Sequence, residues 1–152
     1  MKNSSQVSLV WAQRQRLVKV NFKHVRAVVE AALPLCLERP RYSHSHLPTE
    51  IEVTLLSDRA ITQVHADFLQ DPTPTDVITF AHSPQLGEIL IGMGTAAAHA
   101  KKFDQSIDHE VARYVIHGLL HLLDYDDTTA EEHSLMHEQQ ELLLKNALSI
   151  VG

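Results

Sequence analysis

Two histidines, His117 and His121, interrupt an otherwise apolar run in the segment 111–127, VARYVIHGLLHLLDYDD. A spacing of four residues stacks both imidazoles on one face of a helix, a turn apart. Burying an imidazole without a partner costs roughly 1–3 kcal/mol, so each ring in such a helix needs something to bind. A divalent metal satisfies both rings at once. Asp124, Asp126 and Asp127 follow directly and offer a carboxylate once the helix ends and the chain turns back. Two histidines and one carboxylate leave a fourth position open, as in a catalytic metal site. On spacing alone the alternative stands beside it: two core histidines, each bonded to a carbonyl or an aspartate. A zincin protease needs a glutamate directly after the first histidine, and here that position is Gly118.

The other nine of the 11 histidines carry less. His133 and His137 are again four apart, but their neighbours Glu131, Glu132, Ser134, Gln139 and Gln140 predict a solvated helix face. His65 falls on an apolar stripe and reads as a core histidine, while His44 and His46 fall in a Pro/Ser-rich loop.

The elements that must position the His117–His121 pair follow from periodicity. A short strand is expected at 7–11, then a helix from about residue 20 that Pro34 ends or kinks. After a loop at 39–49, residues 50–56 alternate as a strand. Ser57 and Asp58 then cap a helix with the stripe Ile61, Val64, His65, Phe68 and Leu69. Asp71-Pro72-Thr73-Pro74 predicts a turn. Strands at 77–80 and 88–91 are joined by so short a link that they must be antiparallel. Helices at 95–102, 107–123 and about 129–148 complete the order β-α-β-α-β-β-α-α-α. This is an α+β fold with a small mixed four-stranded sheet and about five helices. No repeat or linker divides the 152 residues, so one domain over 1–152 is expected.

Composition excludes several classes. Hydrophobic residues make up 44% and charged residues 21%, which is globular rather than disordered. The single cysteine, Cys36, forms no internal disulfide and no zinc ribbon. No run reaches the roughly 18 apolar residues of a membrane span, and the polar residues 1–6 lack the apolar core of a secretory signal. The expectation is a cytoplasmic protein with no membrane partner. Charge is uneven: residues 1–41 carry 8 Lys/Arg against two Glu, and residues 42–152 carry 5 against 17 Asp/Glu. A basic footprint for nucleic acid could only lie at Arg14, Arg16, Lys19, Lys23 and Arg26, and a solvated helix face is the expectation for them. Near the histidines the nearest cation in sequence is Arg113, one turn before His117.

Residues 117–127, HGLLHLLDYDD, resemble the H-G-x-L-H-L-x-G-Y-D-H signature of the YbeY family of single-strand-specific metallo-endoribonucleases. Upstream, residues 74–80 (PTDVITF) resemble the family's P-T-D-V-L-S-F strand, and residues 86–91 (LGEILI) its L-G-D-I-x-I strand. The resemblance spans about residues 7–144 in the correct order. It implies a zinc-dependent endoribonuclease with one Zn(2+) per chain and a metal-activated water. The implied RNA is single-stranded ribosomal RNA, in maturation of the 16S 3′ end and in quality control with the small subunit. The implied metal ligands are His117, His121 and Asp127.

Three departures bear on that reading. The family's third ligand, a histidine, falls on Asp127, whose carboxylate oxygen is also a zinc donor but a harder one. The family's helix-ending glycine falls on Asp124, which must then adopt a left-handed conformation at some cost. The family's catalytic arginine falls on Leu69, so the catalytic side chain beyond the metal is unknown. The family's asparagine falls on His65, to which no role is carried. A second function therefore stays open: a metal-containing ribosome-associated factor with weak or lost cleavage.

Overall fold

The computed structural model describes residues 7–69 and 75–152, except the side chain of Leu69. The turn expected at Asp71–Pro74 and the polar start at 1–6 lie outside the described residues, as does the Leu69 side chain at the family's arginine position. The elements follow the expected order: β1 (Ser8–Arg14), α1 (Phe22–Leu37), β2 (Glu50–Leu56), α2 (Asp58–Leu69), β3 (Val77–Ala81), β4 (Leu86–Gly92), α3 (Met93–Lys102), α4 (Ile107–Leu122) and α5 (Ala130–Val151).

The sheet has the strand order β1-β2-β4-β3. β1, β2 and β4 are parallel, and β3 closes one edge antiparallel to β4, with Val77 opposite Ile91. Alternation along β4 divides two cores. Ile89 and Ile91 face the larger one, beneath α1, α4 and α5, while Leu90 joins Leu56, Ile61 and Ile78 beneath α2. β4 is buried along most of its length, as expected for an inner strand covered on both faces.

α1 starts at Asn21, whose side chain accepts a hydrogen bond from the His24 N–H at 3.1 Å. It does not end at Pro34 but continues one turn to Leu37. Proline removes the bond to the Glu30 carbonyl, but both residues are exposed, so water can serve that carbonyl. Burial of Leu33 and Cys36 holds the last turn. Phe68 departs from the apolar stripe expected of α2: it is 68% exposed and packs edge-on against Phe80, with ring centroids 5.7 Å apart. The N-terminal cations do not share one helix face. Arg14 ends β1, Arg16 and Lys19 lie in the following loop, and Lys23 and Arg26 lie on α1, all exposed. Among the described residues no helix is long and apolar enough to cross a membrane.

Candidate metal centre

α4 carries both histidines. Ser106 caps it by accepting from the His109 N–H, and Asp108 and Glu110 in its first turn suit the positive end of the helix dipole. Val111, Val115, Ile116, Leu119 and Leu120 are fully buried. Gly118 lets the helix lie against β4: a Cβ there would meet Ile89 side-chain atoms at 2.9 Å. This contact explains a glycine at the position where a zincin needs glutamate. His117 and His121 then emerge at the edge of the buried face, with side chains 21% and 27% exposed.

The end of α4 returns the chain to the histidines. The Asp124 N–H bonds to the His121 carbonyl, and the Tyr125 N–H bonds to the Leu120 carbonyl, both at 3.0 Å. This is the Schellman pattern, whose residue after the cap is left-handed, and Asp124 has φ 73°. The Asp124 carboxylate accepts from the Ser45 hydroxyl at 2.8 Å, a contact that glycine could not make. The turn buries Tyr125 and brings Asp127 over the histidine pair.

There the three side chains converge. An Asp127 Oδ2 lies 3.8 Å from Nε2 of His117 and 3.8 Å from Nε2 of His121. The donor atoms of the three residues all lie within 4.8 Å of one another, and they are the one such group among the described residues that can hold a metal ion. Neither neighbouring aspartate joins them. Asp124 is bonded to Ser45, and Asp126 accepts from the Asp127 N–H at 2.7 Å and from the Thr128 hydroxyl.

Second partners orient both rings. His121 Nδ1 faces the Tyr125 carbonyl at 3.2 Å, which only accepts, so that nitrogen carries the proton. His117 Nδ1 faces Gln140 Oε1 at 2.7 Å, and the Gln140 amide nitrogen donates to Glu141, which fixes the amide orientation. Both Nε2 atoms therefore present lone pairs toward Asp127, the arrangement of a metal-ligating histidine. Burial pushes the His117 pKa below its ordinary value of 6.5, and His121 adds to that shift; the Gln140 bond and the Asp127 and Asp76 carboxylates oppose it without reversing it. The neutral, metal-competent ring is thus favoured. Zinc with bonds of about 2.0–2.1 Å needs donor–donor edges of about 3.3 Å. The two edges from Asp127 to the histidine nitrogens are about half an ångström longer, and all three donors lie within 4.8 Å of one another, so small side-chain shifts would bring them to an ion. The residues present fit such an ion.

Around the site the structure corrects further expectations and supplies residues the sequence did not single out. Arg113 offers no free charge: its guanidinium bridges Glu110 and Glu141, the latter at 2.8 Å and 3.1 Å. Gln140 is buried on the inward stripe of α5 with Met136, Leu143 and Leu144. A lone amide on an apolar i, i+4, i+7 stripe was the available signal. Asp76, just before β3, lines a cavity with His117, and His133 and His137 line it too instead of facing only solvent.

Fold and donor set together define an α+β protein with an open centre of two histidines and one carboxylate, able to hold a metal ion. The sequence model of the family described as Endoribonuclease YbeY matches residues 10–148, and the chain belongs to the YbeY family. It is 36% identical over 104 residues to the endoribonuclease YbeY of Chlamydia trachomatis serovar D, covering 62% of this chain and 65% of that protein. The endoribonuclease YbeY of Heliobacterium modesticaldum is 31% identical over 128 residues, covering 73% of this chain and 76% of its own. The solution structure of TM1509 from Thermotoga maritima shares the fold, with a TM-score of 0.63 at 20% identity over 93% of this chain and 89% of that one.

Proposed function

We propose that this protein is a zinc-dependent endoribonuclease that cuts single-stranded RNA in the cytoplasm. Its substrate is small-subunit ribosomal RNA, at the 16S 3′ end in maturation and in ribosome quality control. The observation that carries this reading is the convergence of His117 Nε2, His121 Nε2 and the Asp127 carboxylate, in a chain whose relatives are named endoribonucleases. In this reading those three residues hold one zinc per chain. A divalent cation bound there supplies a Lewis acid for a phosphoryl oxygen and lowers the pKa of a coordinated water toward neutrality.

The protein residues divide the remaining work. His117 and His121 donate neutral nitrogens whose direction is set by Gln140 and the Tyr125 carbonyl. Asp127 halves the charge of the dication, leaving a net positive centre for a phosphodiester. The Schellman turn at Asp124 holds that carboxylate in register.

The test is cleavage of a single-stranded RNA by chelator-treated protein, with and without added zinc, alongside metal analysis of the purified protein. Zinc-restored cleavage that disappears in His117→Ala and His121→Ala supports the reading. A second reading is a metal-containing ribosome-associated factor with weak or lost cleavage. It is favoured by Leu69 at the family's arginine position and by the pairing of Arg113 with two glutamates. Full zinc occupancy without cleavage selects it.

A further inference from the structure

A cavity of about 180 Å³ opens beside the metal centre, lined by His117, Asp76, Tyr114, His133, His137 and Gln140, among others. His133 and His137 sit at the three- and four-residue spacings from Met136 and Gln140 that define the inward stripe of α5. They extend that stripe past the core to the cavity, where both remain exposed. Their rings stack, with centroids 6.4 Å apart and planes 15° from parallel.

Among the described residues lining this cavity there is no lysine or arginine. Nor do the two rings and Asp76 close into a second metal-holding group. What they offer is a pair of ring N–H donors, present whether the imidazoles are neutral or protonated. Asp76 on another wall repels an anion, which leaves the α5 side as the favourable one for a phosphate.

We propose that His133 and His137 form a phosphate-binding subsite for the RNA strand, holding a phosphodiester next to the one at the His117–His121–Asp127 centre. The subsite rests on the nuclease reading of that centre. It supplies from α5 the phosphate contacts that Arg113, tied to Glu110 and Glu141, does not.

The test is equilibrium binding of a fluorescein-labelled single-stranded RNA in EDTA, where cleavage through the metal centre is silent. The double variant His133→Ala/His137→Ala should bind about tenfold more weakly than wild type, as expected on losing hydrogen bonds to a charged oxygen. Lys145→Gln, an exposed cation on the same helix but not at the cavity, should change affinity less than twofold. Zinc content of the double variant should equal wild type, which separates the subsite from the metal centre. Binding by the double variant within twofold of wild type overturns the subsite, as does an equal loss in Lys145→Gln. Absence of zinc-restored cleavage by wild type would instead remove the nuclease reading, and the binding comparison still decides the subsite.

Discussion

Replacing Gln140 with methionine isolates the hydrogen bond that aims His117. Gln140 is 7% exposed and its Oε1 lies 2.7 Å from His117 Nδ1. Methionine keeps the volume and the apolar packing beside Met136 and Leu143 but accepts no comparable bond. The ring then loses the partner that fixes its tautomer and raises its basicity. Losses of this kind weaken metal binding by about 10–100-fold, or about 1.4–2.7 kcal/mol. Zinc affinity, measured by competition with a chromophoric chelator, should fall by that factor in Gln140→Met while urea unfolding stays cooperative. Gln139→Met, one residue away and bonded to Arg39, should leave zinc affinity unchanged. An unchanged affinity in Gln140→Met would refute the argument, because helix geometry alone would then be sufficient to orient the ring.

Asp127→Ala should lower zinc affinity by orders of magnitude, Asp126→Ala by less than tenfold, and Asp127→His should retain binding, in the same titration. Gly118→Ala should destabilise the protein by about 1–3 kcal/mol in urea unfolding, since its Cβ would meet the fully buried Ile89 at 2.9 Å. Arg113→Met should cost roughly 3 kcal/mol, because it takes the guanidinium from Glu110, 6% exposed and left with the Tyr114 hydroxyl alone, and from Glu141, left with the Gln140 amide; a cost under 1 kcal/mol would show the pair to be solvent-screened. In the metal-free protein the depressed pKa of His117 stabilises the fold above its ordinary 6.5, and that contribution is lost as pH falls through the lower folded value. Stability measured from pH 8 down to 5 should therefore decline below about 6.5, and less so in His117→Asn.

The placement of His117 and His121 side by side was legible in the sequence because i, i+4 spacing inside an apolar run is a local property of one helix, and so were the strand at 50–56 and the antiparallel 77–91 hairpin. The element order followed from the same short-range periodicities. Other features depend on residues far apart in the chain, which local pattern cannot pair. Gln140 meets His117 across 23 residues, and Glu141 takes the charge of Arg113 across 28. Pro34 stayed helical because Leu33 and Cys36 are buried beneath it, and His133 and His137 reached the cavity because α5 docks through Met136 and Gln140. Type and spacing determined which residues can do the chemistry. Packing of α5 against α4 decided how each of them is held, because the energy of a buried polar group is set by the partner that tertiary contact supplies.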